Sequence, residues 1–112
     1  MILHKHFSRF ANGFAIVFDN GWLVDAAFGT ENYCQNGRTY HISNPPEMLE
    51  SDDCETCITD NEGKDQTYAV GRVLGLRVDG NRNDPISVLP YLSFNDWLRI
   101  VDYVKNIQVN NK

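Results

Sequence analysis

The sequence predicts a small α+β fold in which an antiparallel sheet is covered by one C-terminal helix. Residues 14–28 alternate apolar and polar side chains on both sides of a turn, as a β-hairpin does. Residues near 55–60 and 67–78 are the further strand candidates, and residues 94–107 place apolar side chains at helical spacing. With 112 residues, 42% of them hydrophobic and 22% charged, we expect residues 1–112 to form a single domain.

The hairpin at residues 14–28 turns at Asp19-Asn20-Gly21. A two-residue turn would place Asp25 among the large apolar side chains, whereas a three-residue loop places Phe18 opposite Trp22 and moves Asp25 to the other face. Gly21 suits the left-handed position that ends such a loop. We therefore predict the three-residue loop. Its apolar face then consists of Phe14, Ile16, Phe18, Trp22, Val24, Ala26 and Phe28.

The predicted strand at 67–78 places Val70, Leu74, Leu76 and Val78 on one face, with Arg72 as an exception there. Gly71 and Gly75 lie on the opposite face, which indicates close packing or a bulge. Between the two later strands, the residues 61–64 have the composition of a tight turn.

The helix at 94–107 has the clearest boundary of all the elements. Ser93 is a favourable N-cap, and Asp96 adds negative charge to the first turn, where the helix dipole favours it. The apolar stripe expected to cover the sheet consists of Phe94, Trp97, Leu98, Val101 and Val104.

The net charge of -5 disfavours nonspecific binding to nucleic acid or to anionic lipid, so we expect neither as a partner. The amino-terminal residues have no long apolar run and no signal-peptide cleavage site, which predicts neither secretion nor a membrane span. We expect a cytoplasmic protein whose three cysteines are reduced thiols or metal ligands.

The segment 29–38 is the best candidate for a binding loop, because it follows a firm strand and is rich in side chains that form hydrogen bonds and stacking contacts. The candidate binding residues are Asn32, Tyr33, Gln35, Asn36 and Arg38. In the alternative interpretation the asparagines cap local turns, Tyr33 packs back on the sheet and Cys34 is buried.

The cysteines allow a metal site. Cys54-x-x-Cys57 has the spacing of two thiolate ligands of a tetrahedral zinc, and Cys34 and His41 would complete the set. This alternative predicts a zinc-stabilised domain that contacts nucleic acid through its metal loop. In the other interpretation the three cysteines are reduced and unconnected, and the protein needs no cofactor.

No catalytic motif is evident. The sequence contains no nucleophile elbow, no phosphate-binding glycine loop and no zinc-protease motif. We therefore expect a protein that is not an enzyme. The acidic stretch at 47–65 adds a third hypothesis, in which the protein mimics nucleic acid and blocks a DNA-binding protein of the host.

The run from Asn20 to Arg38 resembles a motif of small uncharacterised proteins encoded in bacteriophage genomes. The matching residues are Asn20-Gly21, Phe28-Gly29, Asn32-Tyr33-Cys34, Asn36 and Arg38. The resemblance implies a phage or prophage accessory protein that acts in the bacterial cytoplasm. Together with the missing catalytic motifs, it favours a binding protein whose partner is a host or phage protein or a second copy of the chain.

Overall fold

The computed structural model describes the backbone of residues 6–10 and, with side chains, residues 13–28, 33–34, 51–80 and 87–109. Its elements in chain order are β1 (His6–Phe10), β2 (Gly13–Val17), β3 (Leu23–Ala27), β4 (Asp53–Thr56), β5 (Ile58–Thr59), α1 (Thr67–Val73), β6 (Leu89–Ser93) and α2 (Phe94–Lys105). The strands form one antiparallel sheet in the order β1-β2-β3-β4-β6, and β5 pairs with β3. Helix α2 packs on this sheet, so the predicted α+β fold is confirmed.

The predicted hairpin and its register are confirmed. Ile16 lies opposite Val24 in β2 and β3, and the Phe18 N–H donates to the carbonyl oxygen of Trp22 (2.9 Å). Gly21 has φ +84°, the left-handed conformation that the three-residue loop requires. The seven residues of the predicted apolar face all belong to the core or pack against it.

The strand predicted near 55–60 is present as β4 and β5, which are separated only by Cys57. Both keep one register against β3, where Ala27 lies opposite Glu55 and Val24 lies opposite Ile58. The predicted turn after β5 is also present. There the Asp60 N–H donates to the carbonyl oxygen of Lys64 (2.8 Å), and Gly63 has φ +81°.

The strand predicted at 67–78 is wrong, because this segment begins with helix α1. Val70 and Leu74 are four residues apart, a spacing that fits a strand and a helix equally well. A strand would have placed Arg72 on the apolar face, whereas in the helix Arg72 is exposed. The close packing expected at Gly71 is real, since a Cβ there would overlap side-chain atoms of Val78 and of the fully buried Leu89.

Helix α2 begins as predicted but ends at Lys105 rather than at residue 107. The Ser93 hydroxyl accepts from the Asp96 N–H (3.2 Å), which confirms the N-cap. The buried face lies further round the helix than predicted. Ile100 is fully buried, whereas Phe94 and Leu98 are exposed. Burial of Trp97, Ile100 and Val104 contributes about 6 kcal/mol before conformational entropy is subtracted.

The hairpin turn also holds the carboxyl end of α2. The Asn20 side-chain amide donates to the carbonyl oxygens of Val104 (2.8 Å) and Ile107 (3.0 Å), and its Oδ1 accepts from the Trp22 N–H (3.0 Å). Carbonyls of a last helical turn lack partners within the helix, so Asn20 supplies a cap from a distant part of the chain. The helix is therefore fixed at both ends.

Candidate functional site

The segment predicted to bind a partner lies partly within the described residues. Tyr33 and Cys34 are described, whereas Asn32, Gln35, Asn36 and Arg38 lie outside the described residues. Cys34 is buried, as the structural alternative expected, but the Tyr33 side chain does not pack into the core and is 51% exposed. The structure thus gives one buried anchor and one outward-facing aromatic ring.

Backbone hydrogen bonds hold Tyr33 on the sheet. Its N–H donates to the carboxylate of Glu55 (2.6 Å), and its carbonyl oxygen accepts from the N–H of Tyr91 (2.9 Å). Glu55 alternates with the buried Cys54 and Thr56 along β4, so its carboxylate points away from the core. These two contacts tie Tyr33 to β4 and to β6 at once.

Tyr91 lies in a β-bulge of β6. Cys54 pairs with Leu92 and Thr56 pairs with Leu89, so Pro90 and Tyr91 together lie opposite one residue of β4. The extra residue is accommodated because Pro90 has no N–H to pair and because Tyr91 adopts φ +51°. A left-handed backbone is unfavourable for a bulky residue, since its Cβ approaches a neighbouring carbonyl oxygen. Among the described residues, Tyr91 is the only one other than glycine that has a positive φ.

The bulge turns the Tyr91 ring outward, where it is 51% exposed and lies 6.4 Å from the Tyr33 ring at an interplanar angle of 41°. The guanidinium carbon of Arg77 lies 5.7 Å from the centre of the Tyr91 ring and Arg77 also pairs with Asp79 (3.3 Å). We call Tyr33, Tyr91 and Arg77 the tyrosine patch. It offers two phenol groups, two aromatic faces and one cation to a partner.

Asp25 forms a polar junction within the sheet. Its carboxylate accepts from the Cys57 N–H (2.7 Å), and its carbonyl oxygen accepts from the Thr56 hydroxyl (2.9 Å) and the Trp97 indole (3.0 Å). Burial raises the pKa of Asp25 to about 6, the hydrogen bond from Cys57 opposes that rise, and the negative charge of Glu55 adds to it. The junction joins three elements and is structural in character.

The predicted metal ligands do not form a cluster within the part of the chain that the structure describes, where no three His, Cys, Asp or Glu side chains converge. Cys54 belongs to the core and its Sγ lies 3.5 Å from the Thr56 hydroxyl, whereas the Cys57 thiol donates to the Ser87 carbonyl oxygen (3.4 Å). Burial first, and then nearby carboxylates, raise the pKa of Cys54 to about 11 and that of Cys57 to about 12. Both thiols are therefore protonated at neutral pH. His41 lies outside the described residues.

Sequence reasoning did not identify Tyr91 and Arg77 as neighbours of Tyr33. Strand β6 was not predicted, because Pro90 interrupts an otherwise extended stretch. A tyrosine in a bulge has no local sequence signature of its own. The Pro90-Tyr91 pair after Leu89 is the one available signal, because a proline inside a strand indicates an edge or a bulge.

No protein-family model, curated protein or solved structure matches the chain. Of the two helices that the structure describes, neither has the length and apolar character needed to cross a bilayer.

Proposed function

We propose that this protein is a non-enzymatic binding module that captures a protein partner through the tyrosine patch. In keeping with the resemblance of residues 20–38 to phage-encoded proteins, the partner is a host or phage protein in the bacterial cytoplasm. The role would be that of an accessory factor in host takeover or in evading a host defence.

The observation that carries the proposal is the conformation of Tyr91. A left-handed backbone at a tyrosine lowers the stability of the fold. Such a conformation persists where the surrounding structure or a function requires it. Here the surrounding structure gains little from the ring, which is half exposed and makes only loose contacts with Tyr33 and Arg77. Display of the ring to a partner explains why tyrosine occupies this position instead of glycine.

The chemistry of the patch agrees with protein recognition. Tyrosine and arginine are enriched among the residues that contribute most to the affinity of protein interfaces. Tyrosine buries a large area with few rotatable bonds, and arginine presents a planar guanidinium with five hydrogen-bond donors. The backbone of Tyr33 is held by two hydrogen bonds, so little backbone conformational entropy is lost when a partner covers its ring.

The test is a pull-down from bacterial lysate with the intact chain, followed by affinity measurements on the purified partner. We expect Tyr33→Ala and Tyr91→Gly each to weaken binding at least tenfold, which corresponds to about 1.4 kcal/mol. Both variants keep the backbone groups that form the hydrogen bonds of the patch, so their melting temperatures should stay close to that of the original protein.

The matched control is Tyr103→Ala, which removes a tyrosine that is 37% exposed on α2 and is not part of the patch. Its affinity should be unchanged. An equal loss of affinity in all three variants would show that the patch is not the binding surface. Unfolding of Tyr33→Ala would show that Tyr33 has a structural role instead.

A further inference from the structure

The two edges of the sheet differ in how well they could pair with another strand. β6 forms one edge and carries two features that oppose such pairing, because Pro90 has no N–H and the bulge at Tyr91 interrupts the ladder. Among the strands that the structure describes, β1 forms the other edge. Its five residues pair with β2 in one continuous register, without a bulge or a proline. β1 is therefore a regular strand with no described strand on its outer side.

Hydrogen bonds of the hairpin show which backbone groups face β1. Along an antiparallel strand, residues that bond to one neighbouring strand alternate with residues that bond to the other. The Phe18 N–H donates to the carbonyl oxygen of Trp22 (2.9 Å), so alternation directs the backbone groups of Ala15 away from β3 and toward β1. Asp25 lies opposite Ala15 and agrees with this assignment, because its N–H donates across the other side of β3 to the carbonyl oxygen of Cys57 (3.2 Å).

The same alternation continues into β1. Ser8 lies opposite Ala15, so the backbone N–H and carbonyl groups of Ser8 face β2. Its neighbours Phe7 and Arg9 then direct their backbone N–H and carbonyl groups outward, away from β2. The outward groups are thus placed symmetrically on the two sides of Ser8.

We propose that β1 pairs with β1 of a second copy of this chain, antiparallel across a two-fold axis at Ser8, so that the two sheets become one. In this register Phe7 of each copy lies opposite Arg9 of the other, and both residue pairs exchange their N–H···O bonds. The outward backbone groups of Phe7 and Arg9 are then all paired. An interface of this kind is self-complementary, as the interfaces of two-fold symmetric dimers are.

Charge favours this edge for a contact between two copies. The chain carries a net charge of -5, and all 15 of its Asp and Glu residues lie from Asp19 onward. Neither β1 nor β2 contains an acidic residue, so pairing through β1 joins the copies where neither strand adds to the repulsion between them. The symmetric register also places Arg9 opposite Phe7, and like charges therefore do not lie directly opposite each other.

This interface does not rest on the tyrosine patch, because β1 and β6 lie at opposite edges of the sheet. Tyr91→Gly should leave self-association unchanged, and a variant that prevents self-association should still capture the protein partner. Failure of either proposal can therefore be recognised separately.

The first test uses the unmodified full chain. Sedimentation velocity over a roughly hundredfold range of concentration should show a monomer at the low end and a dimer at the high end. Amide hydrogen exchange locates the contact. At low concentration the Ser8 N–H should be protected roughly tenfold more than those of Phe7 and Arg9, and in the dimer this difference should disappear.

Two substitutions at one position separate the backbone from the side chain. Arg9→Pro removes an outward N–H but no hydrogen bond to β2, and an edge strand tolerates proline at such a position. It should weaken dimerisation roughly tenfold or more, because each copy loses a donor at the interface. The matched control Arg9→Ala keeps the N–H and should dimerise as the original chain does. Thermal melts at low concentration check that both variants fold.

The register is tested with Ser8→Cys. Position 8 of one copy would lie opposite position 8 of the other at a non-hydrogen-bonded pair, where Cα atoms are about 4.5 Å apart and a disulfide can form. With glutathione disulfide as the oxidant, two Ser8→Cys chains should join in a disulfide-linked dimer and release two molecules of glutathione. The control Lys105→Cys, at an exposed position of α2, should stay monomeric on a denaturing gel without reductant.

Several results would overturn the proposal. They are a chain that stays monomeric over the whole concentration range, Phe7 and Arg9 amides whose exchange does not slow with concentration, and a dimer that Arg9→Pro leaves intact. If such a dimer is lost in Phe94→Ala, which truncates an exposed side chain at the start of α2, the second copy binds at that helix instead.

Discussion

Replacing Tyr91 by glycine and by alanine tests the conformation on which the candidate site depends. Both changes remove the ring and its contacts with Tyr33 and Arg77, but only alanine keeps a Cβ at φ +51°. The difference between the two variants therefore isolates the cost of the left-handed backbone. It does not depend on how much the ring itself contributes.

The expected magnitude follows from two opposing effects. A Cβ in the left-handed region costs about 1–2 kcal/mol. Glycine loses more conformational entropy on folding than alanine, which costs about 0.5–1 kcal/mol at an ordinary position. The balance predicts that Tyr91→Gly is more stable than Tyr91→Ala by about 1 kcal/mol. For a domain of this size that corresponds to a melting temperature about 4 °C higher.

The assay is urea unfolding of both variants, with thermal melts as a second measurement. Thr59 in β5 provides the reference, since it lies in a strand and has no positive φ. There the order should reverse, and Thr59→Ala should be more stable than Thr59→Gly. If alanine is the more stable residue at position 91 as well, Tyr91 is not left-handed in solution and the argument for the tyrosine patch fails.

Two further predictions concern the sheet. Asp25→Asn keeps an acceptor for the Cys57 N–H but removes the charge. The pKa of Asp25 in the folded protein, about 6, lies above its ordinary value of 3.8. The stability linked to protonation of Asp25 is therefore present below about pH 4 and is lost as the pH rises through about 6. The free energy of unfolding of the variant should exceed that of the original protein by about 2 kcal/mol at pH 7.5 and equal it at pH 3.5. Equal urea midpoints of the two proteins at both pH values would contradict the raised pKa of Asp25. Gly13→Ala would push a Cβ into the carbonyl oxygen of Ala26 and should lower the free energy of unfolding by about 3 kcal/mol. Gly63 has open space around it but φ +81°, so Gly63→Ala should lower the free energy of unfolding by only about 1 kcal/mol. Equal urea midpoints for the two alanine variants would show that β2 can move away from β3.

The candidate site could be predicted only in part. Tyr33 was a candidate because it follows the hairpin in a polar segment; in the structure its backbone is held on the sheet and its side chain is half exposed. Tyr91 and Arg77 could not be identified, since the bulge that brings them together depends on how β6 pairs with β4. The buried face of α2 was also predicted only in part, because Phe94 was expected to be buried and is exposed.

The elements that were correctly predicted are those specified by local chemistry. Alternation and Gly21 fix the hairpin register, and Ser93 with Asp96 fixes the start of α2, because each of these signals acts over a few neighbouring residues. Segment 67–78 had no such unique signal, since one apolar spacing fits two periodicities. Its first seven residues form α1, which approaches Leu89 closely at Gly71.

The amino-acid sequence thus specifies the hairpin, the capped helix and the α+β class. Long-range contacts specify the rest: the Asn20 cap on α2, the bulge at Tyr91 and the junction at Asp25 each join residues that are distant in the chain. Such contacts depend on which surfaces meet after the strands have paired, and local periodicity carries no information about that.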